Sequence, residues 1–216
     1  MSDSITKLLD ELCESGKYSD FTIKCRDKEI PIHRAIVCAQ SAPLAAACWG
    51  DFKAVGESNR PARLIYKRPT GCSTMIRFLY CHDYHKARFY PGAFSTKDDL
   101  LAHASVYAIA NQFSINPLRN AAENKFRSQI ETSWKSDFFT QVVTALWDHN
   151  EYRGLHVIIE DVVAGHMEHF LNTKPEFLTA GMTKGRLSLE MLRKLIQRVE
   201  TASEVRYKPP YGRDGF

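Results

Sequence analysis

The 216-residue sequence has no apolar run long enough to cross a membrane. Its most apolar window, AIVCAQSAPLAAACW, is interrupted by Gln40, Ser41 and Pro43. The window therefore falls short of the ~18–20 consecutive apolar residues that a membrane-spanning helix needs. An apolar signal segment is also missing from the N-terminus. These absences predict a soluble protein without a membrane partner.

The sequence also lacks the C-x-x-C pairs that mark many zinc and redox sites. A chain of this length can bury a core without a disulfide framework. Because no secretory segment precedes the cysteines, we expect reduced thiols and a location in the cytosol or the nucleus. The cysteines are Cys13, Cys25, Cys38, Cys48, Cys72 and Cys81.

Charge of one sign is not concentrated anywhere in the chain. The net charge is +4, and basic residues are interspersed with acidic ones throughout. A protein that reads nucleic acid gathers its basic residues into a patch or stripe, and no basic DNA-reading module is present. The pattern predicts a solvated surface and no direct contact with nucleic acid.

Signatures of catalysis and of nucleotide binding are missing as well. Neither G-x-S-x-G nor G-x-G-x-x-G occurs. The segment GMTKGR is superficially like a phosphate-binding loop, but Lys184 precedes Gly185, whereas the P-loop lysine follows the second glycine. We therefore expect no enzyme activity and no cofactor.

The histidines leave one alternative function open, that of a metal-dependent enzyme. One set of side chains that can ligate metals consists of His82, Asp83, His85 and His103. A second set is His166 and His169, whose spacing places both on one face of a helix. Neither set contains H-E-x-x-H or a matching cysteine pair, so we expect no metal site.

The sequence does contain alternating patterns of helices and strands. A helix with apolar residues on one face is predicted from Ser4 to a stop at Gly16. FTIKC alternates apolar and polar residues, and Pro31 keeps IPI extended, which together predict a hairpin. HRAIVCAQS and APLAAACW predict two short helices, and ARLIYK predicts a third strand. Further helices are predicted to start at Thr74, Thr96 and Asn116.

After Ser133 no strand pattern is convincing. Amphipathic stripes predict helices around residues 139–146, 155–163 and 192–199. The final segment SEVRYKPPYGRDGF has paired prolines and no periodicity, which predicts a flexible tail. The predicted organisation is a domain at 1–130, a helical C-terminal extension at 131–200 and a tail at 201–216.

Five segments of the first part of the chain occur in a characteristic order: SDFTIKC, IPIHRAIVCAQS, RLIYK, MIRFLYCHDY and LLAHASVYAIANQFSINPLRNAAENKF. In this order they resemble a BTB/POZ domain over about residues 17–130, with the helix at 4–15 as an N-terminal addition. The residues that carry the motif are Asp20, His33, Arg34, Tyr80 and Tyr84. The resemblance implies an α+β fold, in which α-helices flank a small mixed β-sheet, followed here by an all-α extension.

With that extension, the chain also resembles short fungal proteins that have a BTB domain and no other recognised domain. Two departures from the family pattern concern local packing. APLAAAC stands where the family usually has an aromatic pair, and Cys81 and His82 replace the usual Thr-Gly of the turn after Tyr80.

His33 has three interpretations: a structural residue, a catalyst or a metal ligand. A structural histidine at the junction of a strand and a helix fills the core and donates one ring N–H to a backbone carbonyl. Catalysis needs a partner group within hydrogen-bond reach, and the neighbouring sequence offers apolar residues, Arg34 and cysteines. We favour the structural role. By resemblance, Asp20 and Arg34 match paired charges that line a pocket near the dimer interface in some members, and the alternative is a structural ion pair.

The resemblance implies binding rather than catalysis. BTB domains are dimerisation and adaptor modules that form homodimers or heterodimers with other BTB proteins, and many of them join substrates to cullin-3 ubiquitin ligases. In such adaptors an apolar-x-Glu segment touches the cullin, and AVGES supplies Val55 and Glu57 at the corresponding place, with a plain surface loop as the alternative. The substrate site of a cullin adaptor would lie in the helical extension. The resemblance leaves open a second role, a nuclear transcription regulator or corepressor scaffold.

Overall fold

The computed structural model describes residues 2–25, 28–49, 63–66, 69–84 and 96–178. The chain divides into two compact units, Met1–Arg153 and Gly154–Phe216, here called the first and the second unit. The domain boundaries predicted after residues 130 and 200 stay predictions. The helix predicted at 192–199 and the tail at 201–216 lie outside the described residues.

The first unit contains a short sheet and a series of helices. The strands are β1 (Phe21–Cys25), β2 (Lys28–Ile32) and β3 (Arg63–Tyr66). The helices are α1 (Ser2–Ser15), α2 (Arg34–Cys38), α3 (Ala42–Trp49), α4 (Pro69–Cys81), α5 (Thr96–Gln112), α6 (Asn116–Ser133) and α7 (Phe139–Trp147), followed by a 3₁₀ turn at Asn150–Tyr152. This order confirms the predicted succession of helix, hairpin, helices, strand and helices.

Helix α1 ends where the sequence predicts and begins slightly before Ser4. Gly16 stops it in the left-handed conformation, with a φ of +61°, and its N–H bonds to the carbonyl of Leu12 at 3.0 Å. A Cβ atom at position 16 would lie 2.6 Å from Cγ of Pro31 in β2. The turn after α1 therefore needs glycine both for its backbone angle and for its close approach to the hairpin.

The sheet is mixed, with the strand order β2-β1-β3. β1 pairs antiparallel with β2, placing Ile23 opposite Ile30, and pairs parallel with β3. Alternation along β1 buries Phe21 and Ile23 on the core side. Pro31 lies in β2, at the edge of the sheet, where a missing N–H donor is tolerated. The small mixed sheet among helices confirms the predicted α+β class.

Helix α4 begins at Pro69, earlier than the predicted start at Thr74. Proline suits the first turn of a helix because its missing N–H would have no helical partner there. Gly71 follows, and a Cβ atom at this position would lie 2.9 Å from the backbone oxygen of Ser105 in α5. The glycine therefore permits close packing of α4 on α5, which also contacts α6 and α7.

The cysteines are not all reduced. Cys72 is disulfide-bonded, so the expectation of six reduced thiols is wrong at this position. The structure has free thiols at Cys13, Cys38, Cys48 and Cys81. Burial raises the pKa of Cys48 to about 12 and that of Cys13 to about 11. These two thiols are therefore protonated at neutral pH.

The second unit begins inside α8 (Arg153–Gly165) and continues with α9 (Met167–Thr173). The apolar stripe predicted at 155–163 is buried along α8: Leu155, Ile158, Ile159, Val162 and Val163. Its described residues form no strand, which confirms an all-α extension in this part of the chain. Across both units, none of the described helices combines the length and the apolar character that a bilayer span requires.

Candidate functional site

The candidate site lies at the junction between β2 and α2, where His33 connects the strand to the helix. His33 keeps an extended backbone, with φ −106° and ψ 113°, and its side chain does not cap α2. The ring is half-buried. Its orientation is set by groups that come from two distant parts of the chain.

Tyr80, near the end of α4, makes two hydrogen bonds to His33. The backbone N–H of His33 donates to the phenolic oxygen at 2.9 Å, and that oxygen lies 2.8 Å from Nδ1 of the ring. The two rings meet edge to face, with centroids 5.8 Å apart. Tyr80 is only 1% exposed, so these bonds lie largely out of water.

The other ring nitrogen determines the tautomer of His33. Nε2 lies 2.7 Å from the backbone oxygen of Lys17, and a carbonyl oxygen can only accept. Nε2 therefore carries the proton, and in the neutral ring Nδ1 accepts a hydrogen bond from the hydroxyl of Tyr80. Every polar atom of the imidazole is engaged by protein groups, an arrangement that orients the ring and leaves neither nitrogen free as a base or ligand.

Burial raises the pKa of Tyr80 to about 12, although the hydrogen bond from the His33 N–H acts in the opposite direction. The phenol is therefore protonated over the whole physiological range. Protonation is necessary for the network, because the hydroxyl must donate to Nδ1 while it accepts the backbone N–H.

Asp20 and Arg34 meet at the same junction through the backbone. The Arg34 backbone N–H donates to Oδ1 of Asp20 at 2.8 Å, so a carboxylate from the start of β1 caps the first turn of α2. The Asp20 N–H in turn donates to the carbonyl of Ile32 at 3.2 Å. The guanidinium carbon of Arg34 lies 4.9 Å from the centroid of the Phe21 ring. The structure brings Asp20 and Arg34 together as a helix cap, and their contact with a partner stays a prediction.

Tyr84, the last motif residue, belongs to a different pair. Its hydroxyl lies 2.6 Å from Nδ1 of buried His103, and the two ring centroids are 5.6 Å apart. His82 is exposed and has a φ of 52°, while His85 lies outside the described residues. The described part of the chain holds no group of three or more metal-ligating side chains arranged for an ion.

The second histidine pair is separated by a break in the helix. His166 has φ −124° and ψ 26° and precedes α9 as its first flanking residue. The spacing to His169 predicts that both histidines lie on one face of a helix, but the structure places His166 just before the first residue of α9 and only His169 within that helix. Both histidine rings are half-buried.

An apolar surface lies on the outer face of α1. Ile5 is 61% exposed and Leu8 is 55% exposed, which is unusual for side chains of this size. Beside them is an open concavity with a volume of about 580 Å³, lined in part by Leu8, Leu12 and Tyr18. We call Ile5, Leu8 and Leu12 the α1 stripe. The proposed cullin-contact residues Val55 and Glu57 lie outside the described residues.

Several functional contacts could not be anticipated from local sequence. The hydrogen bond from the His33 ring goes to the backbone carbonyl of Lys17, and no side-chain motif predicts a contact to a backbone atom. Ser41 is a partial exception, because serine before a helix is a common cap. It accepts the Leu44 N–H at 3.2 Å and also donates to the Phe113 carbonyl at 2.6 Å. The first contact follows a known sequence signal, and the second does not.

Comparison with known proteins agrees with this geometry. A family model described as BTB/POZ domain matches residues 9–130. No match was found among curated proteins. The matched region is more than half of the chain and includes the His33 junction, the mixed sheet and helices α2 to α5. The chain therefore belongs to the BTB/POZ domain family, whose domain is a protein–protein interaction module.

Proposed function

We propose that the protein is a dimerising adaptor that acts by binding other proteins and not by catalysis. The observation that carries the proposal is the α1 stripe on a domain of an interaction family. A homodimer and a heterodimer with another BTB protein both fit this role. We place the protein in the cytosol or the nucleus, and cell fractionation tests that location.

The α1 stripe has the character of an interface centre. A single exposed apolar residue is ordinary, but Ile5 and Leu8 are one helical turn apart and Leu12 continues the row. Polar residues border the row, among them Glu11 and Ser15, which line the same concavity as Leu8 and Leu12. An apolar centre with a polar rim is the usual anatomy of a protein–protein interface.

Light scattering after size exclusion tests dimerisation at micromolar concentration. We expect a dimer for the wild type and a shift toward monomer for Leu8→Ser, because the change puts a hydroxyl into the apolar centre. Leu171→Ser is the matched control, since Leu171 in α9 has the same 55% exposure. A strictly monomeric wild type, or equal effects of the two substitutions, would contradict the proposal.

We further propose that the adaptor serves a cullin-3 ubiquitin ligase, with Val55 and Glu57 at the contact and a substrate site in the extension at 131–200. The order of the BTB motifs and the apolar-x-Glu segment support this role. Glu57→Arg is expected to abolish co-precipitation with cullin-3, whereas Glu131→Arg, an exposed position on α6, is expected to leave it unchanged. Cullin binding that survives Glu57→Arg would remove the proposed contact. An exclusively nuclear protein without cullin binding would instead favour the role of corepressor scaffold.

A further inference from the structure

We propose that Cys38 and Cys48 form a reversible dithiol–disulfide pair, which a low-molecular-weight disulfide such as oxidised glutathione closes, so that a covalent bond joins α2 to α3. Such a bond is a modification that the proposed dimerisation does not require. The positions of the two sulfur atoms and their unequal exposure support it.

Both thiols lie where α2 packs against α3. Cys38 is the last residue of α2, and Cys48 lies in the final turn of α3. The Cys38 thiol donates a weak hydrogen bond to the carbonyl oxygen of Leu44 at 3.9 Å, and Leu44 precedes Cys48 by about one helical turn. The Cys38 side chain therefore points at the turn of α3 that carries Cys48, and the two thiols are hydrogen-bonded to each other. A disulfide requires two side chains that face each other in this way.

The free thiols of Cys13 and Cys81 provide a comparison within the same chain. They are close enough to interact electrostatically, but the Cys81 thiol donates to the backbone oxygen of Asp83 at 3.3 Å. Among the described residues, no hydrogen bond joins Cys81 to Cys13. The direct contact between thiols distinguishes the Cys38 and Cys48 pair from this one.

Unequal exposure of the two sulfurs sets the order of reaction. Cys38 is half-buried and can meet a small disulfide, whereas Cys48 is only 4% exposed. Burial and, second, the hydrogen bond to Cys38 raise the pKa of Cys48 to about 12. Because the thiolate is the nucleophile, Cys38 reacts first and Cys48 follows.

The chemistry consists of two successive thiol–disulfide exchanges. In the first, the Cys38 sulfur loses its proton and attacks one sulfur of oxidised glutathione, whose S–S bond breaks, and one reduced glutathione leaves with a proton. In the second, the Cys48 sulfur loses its proton and attacks the Cys38 sulfur, and the second reduced glutathione leaves with a proton. The protein is oxidised by two electrons and the oxidised glutathione is reduced by two. The second step is intramolecular, which offsets the small thiolate fraction of Cys48.

The structure holds both thiols in the reduced form. In the cytosol or the nucleus, where we place the protein, glutathione and thioredoxin keep most thiols reduced, and disulfides that do form there are usually transient and serve redox sensing. The pair is therefore a redox-sensitive link between α2 and α3 and not a permanent structural bond.

Peptide mapping of the full-length protein tests this assignment. Trypsin cleaves after Arg34 and after Lys53, and Cys38 and Cys48 are the two cysteines of the resulting peptide. The folded protein is incubated with oxidised glutathione, unfolded and alkylated before digestion. We expect this peptide to have lost two hydrogen atoms and to carry no alkyl group, and dithiothreitol should restore two alkylatable thiols. Cys13→Ala is the matched control and should leave the product unchanged.

Single substitutions separate the two exchanges. In Cys48→Ala the second step is blocked, so one glutathione should stay attached to Cys38. In Cys38→Ala the remaining buried thiol should acquire no glutathione while the protein is folded. An internal bond in the wild type with both of these results supports the proposal.

Two results would overturn it. One is a wild-type peptide that keeps two alkylatable thiols after treatment with oxidised glutathione. The other is a wild-type peptide with glutathione on Cys38 and no internal bond, because Cys48 would then fail to complete the second exchange. Both results are read from the wild type, so they do not depend on whether a variant folds.

Discussion

Substitution of Tyr80 by phenylalanine isolates the contribution of the His33 junction to stability. The change removes one oxygen atom and keeps the ring, which is buried among core residues of α4. Two hydrogen bonds disappear with that oxygen, at 2.9 Å from the His33 backbone N–H and at 2.8 Å from Nδ1. The edge-to-face contact of the rings is retained, so the measured effect reports the polar network.

The expected loss of unfolding free energy is about 2–3 kcal/mol. Each hydrogen bond contributes roughly 1 kcal/mol net, and a buried N–H without an acceptor adds about 1 kcal/mol or more. The His33 ring is half-buried, so water can partly replace the hydroxyl at Nδ1, which keeps the loss near this range. For a chain of this size the loss corresponds to a decrease in Tm of about 4–12 °C.

Urea unfolding followed by far-ultraviolet circular dichroism measures the change. Tyr107→Phe is the matched control, because Tyr107 on α5 is 7% exposed and forms no hydrogen bond with the residues that the structure describes. Its removal of a hydroxyl should change the unfolding free energy by less than about 0.5 kcal/mol. Equal effects of the two substitutions would refute the assignment of Tyr80 as the organiser of the junction.

Four further predictions concern the first unit. The free energy of unfolding should fall between about pH 10 and 12 in an alkaline titration. The folded pKa of Tyr80 is raised to about 12 from an ordinary value of 10.0, so the unfolded state releases its proton first. Tyr80→Phe should lessen this loss. Gly16→Ala should lower the unfolding free energy by about 1–3 kcal/mol, because of its φ of +61° and the 2.6 Å approach to Pro31; a neutral result in urea unfolding would contradict this. Ser41→Ala should cost about 1–2 kcal/mol in the same assay, with Ser41→Thr retaining part of the cap. Iodoacetamide at pH 8 should alkylate Cys48 only after unfolding, because the thiol is buried with a pKa of about 12, and peptide mapping that finds it modified in the folded protein would overturn this.

Local pattern predicted most of the described elements. The end of α1 at Gly16 and the alternation in β1 depend on the residues of those segments alone, and both are found where expected. The start of α4 was predicted too late, since the apolar face is evident only from Thr74 onward, whereas the helix begins at Pro69 and packs closely on α5 at Gly71. The break at His166 was missed because the apolar pattern continues through it.

The site itself was only partly predictable. The sequence singled out His33 and Tyr80 as motif residues, but it could not show that they touch, since 47 positions separate them. Asp20 and Arg34 were singled out as paired charges, and the structure shows that the Arg34 backbone N–H donates to Asp20 Oδ1, while a role of this pair at a partner surface stays a prediction. Contacts of this kind depend on tertiary packing, to which no spacing rule applies.

The hydrogen bond between the His33 ring and the Lys17 carbonyl has a consequence for binding at α1. Lys17 follows Gly16 directly, so the C-terminal end of α1 is fastened to the domain at 2.7 Å, while α1 also packs on α4. A helix held in this way is preorganised, and a partner that docks on it does not have to offset the conformational entropy of ordering a loose segment. Even a small contact surface on α1 can then support a measurable affinity.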